Sequence, residues 1–101
     1  MKRDPLLVAA IAALGDVDLE ERYLIDASAT KSRWQYGEQN GSLITINPAP
    51  HVVDTILHEI VHYLRPQWSE KVLRRRVTQL MRQISHEEVQ AIYHEWNERK
   101  R

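Results

Sequence analysis

Along the 101-residue chain, stretches whose apolar residues return every three to four positions alternate with β-prone stretches set between turn formers. Residues 5–14, Pro5-Leu6-Leu7-Val8-Ala9-Ala10-Ile11-Ala12-Ala13-Leu14, are apolar throughout. Asp4 then Pro5 is a natural N-cap and first-turn pair and Gly15-Asp16 is a stop, so a short buried helix is expected there. Val53, Ile56, Leu57, Ile60 and Leu64 form the apolar stripe of a helix over 50–64, entered through Pro48 and Pro50 and ended by Pro66. Leu73, Val77, Leu80, Met81 and Ile84 mark a third helix over 70–84 with Ser69 as its cap. Ser85-His86-Glu87-Glu88 is a capping box that opens a last helix, with Val89, Ile92, Tyr93 and Trp96 inward and residues 99–101 frayed.

Between the first two helices the period shortens. Tyr23-Leu24-Ile25 suggests a strand, and two β-prone runs, 33–39 and 42–47, flank Asn40-Gly41, a strong short-range hairpin signal. Such strands cannot bury their apolar faces unless a helix covers them, and the apolar side of 53–64 is available. The expected fold is a single α+β domain with three or four helices on a small sheet that contains an antiparallel hairpin. A chain this short supports one core and no separate substrate domain.

Composition narrows the chemistry. With 28% charged residues and a formal net charge of zero, the chain as a whole is not expected to bind nucleic acid. The Arg74-Arg75-Arg76 triplet fans around its helix rather than forming a stripe and reads as a solvated face. Having no cysteine excludes disulfides, thiolate metal ligands and thiol nucleophiles, so metal chemistry must use His and carboxylate. Met1-Lys2-Arg3 before the first apolar run superficially resembles a signal peptide, but Asp4 and the lack of a clear cleavage site favour a helix of the folded domain and a cytoplasmic protein. No segment approaches the roughly 18 apolar residues of a membrane span. The three tryptophans read as core or rim residues.

Against this background His58-Glu59-Ile60-Val61-His62 stands out. Histidines four apart lie one turn apart on the same helical face, here opposite the apolar stripe, so both imidazoles can reach one zinc ion. Glu59 is placed to act as general base on a water without being a ligand. Two histidines alone bind zinc weakly, so a third ligand is expected further along: Glu70, at the start of the helix that follows a short turn, or His86, Glu87 or His94 on the last helix. His51 and Asp54, one or two turns before the motif, are either partners of the ligands or solvated. Tyr63, His86 and His94 are candidates for stabilising an oxyanion.

Gly41-Ser42-Leu43-Ile44-Thr45-Ile46-Asn47-Pro48, the motif helix, and Arg65-Pro66-Gln67-Trp68-Ser69-Glu70-Lys71-Val72 together resemble the small zinc metallopeptidase-like domains of the zincin clan, above all SprT-like and minimal gluzincin-type domains. The resemblance covers about a third of the chain. It implies that His58, His62 and Glu70 are zinc ligands, that Glu59 is the catalytic base, and that a peptide or protein is the substrate. It also implies that residues 43–46 form the sheet edge above the cleft, where an extended peptide adds as a strand. The longer spacer of thermolysin-like enzymes and the third His and Gly of metzincins are lacking. Two other readings are a non-catalytic or latent zinc-binding domain of this fold and a basic-faced helical binding module.

Overall fold

The computed structural model describes residues 2–28 and 33–101 and is an α+β fold. In chain order the elements are α1 (Pro5–Ala13), a 3₁₀ turn (Leu14–Asp16), β1 (Asp18–Glu21), β2 (Leu24–Asp26), β3 (Arg33–Gln35), β4 (Gly37–Asn40), β5 (Leu43–Ile46), α2 (Ala49–Leu64), α3 (Glu70–Gln83) and α4 (His86–Arg99). The caps fall where the sequence puts them. Asp4 accepts the Leu6 amide at 2.8 Å, Ser69 Oγ accepts from Val72, and Ser85 with Glu88 forms the complete capping box.

The strands make two small sheets. β1, β5 and β4 lie side by side in that order, β1 parallel and β4 antiparallel to β5, while β2 and β3 form a separate antiparallel pair. The hairpin signal at Asn40-Gly41 is therefore realised as β4–β5, with a small displacement. Asn40 pairs with Leu43, so Gly41 and Ser42 are the loop residues, and Gly41 takes φ 63° at the first loop position, where a non-glycine side chain is disfavoured. The run 33–39 is not one strand: it breaks at Tyr36, and its first half pairs with β2 instead of β5. The acidic segment Asp18-Leu19-Glu20-Glu21 has little intrinsic strand preference, yet pairs in register with all four residues of β5. Backbone pairing with the β-branched Ile44, Thr45 and Ile46 overrides propensity there.

One expectation is corrected. Residues 43–46 are the central strand of their sheet, not its edge; the edges are β1 and β4, whose residues are all exposed. α2 is in contact with both α3 and α4. The core joins Trp34 of β3 to Ala49, Val53 and Val89, with Tyr23, Leu57, Met81, Ile84, Ile92 and Tyr93 packed against it. The expected apolar stripe of α2 thus divides. Val53 is fully buried and Leu57 packs on the core, but Ile60 and Leu64 near its end remain about half exposed.

Asn47 links the two sheets to α2. Its buried amide donates to Gln35 O at 2.8 Å and to Leu24 O at 3.4 Å, its Oδ1 accepts from the Ala49 amide, and its own amide reaches Tyr36 O. α1 departs from expectation in another way: the helix forms over nearly the predicted span, but not one of its residues is buried. Among the described residues no helix is long and apolar enough to cross a membrane.

Candidate metal centre

His58 lies midway along the motif helix, on the flank of α2 that faces α3. Its side chain is only 22% exposed, and Nε2 stands 2.9 Å from Glu70 Oε1. The intervening turn explains why. The Arg65 amide closes the end of α2 on Val61 O, the Trp68 amide returns to Arg65 O, and Ser69 caps α3 one residue before Glu70. That tight return sets the first residue of α3 beside the penultimate turns of α2. The Glu70 carboxylate, still 57% exposed, is also approached at 3.5 Å by Arg74 Nε one turn further along α3. The i, i+4 spacing of Glu70 and Arg74 is a signal in the sequence for that pair. Reading the arginine triplet only as a solvated face missed it.

An open hollow of about 390 Å³ adjoins His58, lined by Asp54, Thr55, Arg74, Val77 and Thr78. Asp54 and His58 reach it together because they are four residues apart on one helix. His51 is placed elsewhere, its ring 4.6 Å from that of Tyr36. Glu59 and His62 are solvent-exposed on α2. Tyr63, near the end of that helix, is 83% exposed.

The candidates on α4 are engaged separately. His86 Nε2 is 2.9 Å from Glu87 Oε1, its Nδ1 is buried with no hydrogen-bond partner among the described residues, and its carbonyl accepts the Tyr23 hydroxyl at 2.9 Å. His86 and Glu87 line a hollow with Arg33 and Arg82, while His94 is exposed near Glu98 and borders a third, with Tyr23 and Asn47. None of them borders the hollow beside His58. Burial, and secondly the negative charge of Glu87, pushes the Tyr23 phenol above its ordinary pKa.

The structure therefore brings Glu70 to His58, and among the described residues it assembles no group of three or more His, Cys, Asp or Glu side chains able to hold a metal. The donor types suit zinc: two imidazoles and a carboxylate, with no thiolate to compete. Donors sharing one tetrahedral ion at 2.0–2.1 Å stand roughly 3.3 Å apart. The His58–Glu70 pair is within about half an ångström of that separation. His62, exposed on the same helix one turn after His58, is the remaining donor of the set. No family model matches the chain, and no curated protein or solved structure is significantly similar to it.

Proposed function

We propose that the chain is a zinc-dependent metallopeptidase-like protein whose metal is held by His58, His62 and Glu70. The reading rests on one observation above all: the first histidine of an H-E-x-x-H helix meets, through Nε2 and at 2.9 Å, a carboxylate delivered by the next helix. Zinc, when bound, supplies carbonyl polarisation and a more acidic water. Glu59, beside His58 and free in solvent, accepts a proton from water and returns it to the leaving amine. Arg74 lines the adjoining hollow and offers guanidinium donors to a peptide carbonyl, while the hydroxyls of Thr55 and Thr78, which donate to His51 O and Arg74 O, present acceptors there. The substrate class is a peptide or protein bound across this open surface.

The expected result is about one zinc per chain, with His58→Ala, His62→Ala and Glu70→Gln each weakening zinc at least about tenfold and Glu87→Gln leaving it unchanged. Glu59→Gln should keep zinc and abolish peptide hydrolysis. Stoichiometric zinc in a chain carrying both His58→Ala and His62→Ala would remove the basis of the proposal.

A second reading, a zinc-binding domain without peptidase activity, is favoured by the strand order. With β5 internal and the edges made of Asp18-Leu19-Glu20-Glu21 and Gly37-Glu38-Gln39-Asn40, the sheet offers a polar and acidic border to an incoming strand. Zinc bound with no hydrolysis of a diverse peptide library would select this reading.

A further inference from the structure

We infer that the chain forms a reciprocal dimer in which α1 of one copy lies in the groove between α2 and α4 of the other. α1 is apolar on every side, with Leu6, Leu7, Val8 and Ile11 between 46% and 75% exposed, and none of its residues is buried. A helix hydrophobic all round belongs in an interior. The same molecule presents an apolar groove of about 600 Å³ whose walls include Ile56 and Ile60 of α2 and Ala91 and Trp96 of α4. Ile60 is 47% and Trp96 43% exposed, so both keep apolar surface to cover.

Charge sets the direction of docking. The groove ends at Arg99, Lys100 and Arg101; Arg99 lies 3.3 Å from Glu95, which also lines the groove, so its end carries a net positive charge through Lys100 and Arg101, and α1 runs into Asp16 and Asp18, both exposed. The C-terminal end of α1 also carries the negative end of its helix dipole, so it is drawn to that basic end. A helix in an apolar groove is a common recognition mode, and two copies exchanging identical helices close the assembly without leaving either surface open. A lipid surface suits α1 less well. At roughly 13 Å it is too short to span, it lacks the basic polar face of an interfacial helix, and the acidic run that follows it is repelled by anionic headgroups.

Sedimentation of the full chain at micromolar concentration tests the inference. The expected mass is twice the 11.9 kDa of one chain. Ile11→Asp in the helix, and Trp96→Glu or Ala91→Glu in the groove, should each raise the dimer dissociation constant at least about tenfold, with circular dichroism confirming a folded chain. Ala91 is already exposed, so its variant remains informative if Trp96→Glu unfolds. Mixing Ile11→Asp with Ala91→Glu pairs one intact helix with one intact groove, and the mixture should dimerise more tightly than either variant alone. A monomeric wild-type chain overturns the inference, whether α1 then folds onto its own groove or onto phosphatidylglycerol vesicles. A dimer indifferent to all three substitutions overturns it too.

Discussion

Asn47 is the clearest case of one side chain holding several elements. It satisfies backbone groups of β2, β3 and the start of α2 from a position only 1% exposed, where water cannot replace it. Asn47→Ala should lower stability by about 2 to 4 kcal/mol, because buried backbone partners lose their hydrogen bonds. In a domain this small that is a fall of about 10 °C or more in Tm, read by calorimetry. Tyr23 makes a different prediction. Its phenol pKa is raised in the folded state, so the folded protein holds this proton more tightly than the unfolded one. The associated stability is fully present below pH about 10 and is lost as pH rises through the folded value. Denaturant midpoints measured upward from pH 9 should fall more steeply for wild type than for Tyr23→Phe; parallel curves would show that this phenol does not contribute.

Helix positions were legible because α2, α3 and α4 each carry an apolar period, and because α1, apolar on every side, lies between an Asp4-Pro5 start and a Gly15 stop. Ser69 and Ser85 cap as read, and α3 and α4 begin at the expected residues. Strand partners were not legible. Pairing is decided by contacts between distant segments, and nothing local in Asp18-Leu19-Glu20-Glu21 announces a strand or names β5 as its neighbour. The same limit applied to the site. Glu70 was accessible from a short turn, whereas the exposure of His62 depends on how α3 and α4 flank α2. Gly37 shows how closely one pairing is fitted. A Cβ there would lie 2.9 Å from the carbonyl oxygen of Thr45, which is backbone and cannot swing aside. Gly37→Ala should therefore force β4 away from β5 and lower the unfolding midpoint, while Gly15→Ala, with open space around its added carbon, should not.

Across the whole molecule, buried apolar contact is distributed unevenly. The buried apolar residues come from β2, β3 and the three helices α2, α3 and α4, while every residue of β1 and β4 is exposed. The parallel join of β1 to β5 is thus secured by backbone pairing and by polar contacts such as Thr45 Oγ1 to Glu20 Oε1, not by a hydrophobic face. Segments held in this way open without the rest of the protein. In native-state hydrogen exchange the amides of β1 should exchange through local opening, well before those of α2 and α4, which should wait for global unfolding. Equal protection across both groups would show a single cooperative unit. α1 is continuous in the chain with this weakly secured strand. Release of β1 from β5 would lengthen the leash on α1 from the short 3₁₀ turn to the whole stretch before β2, and so widen the volume that the apolar helix can search.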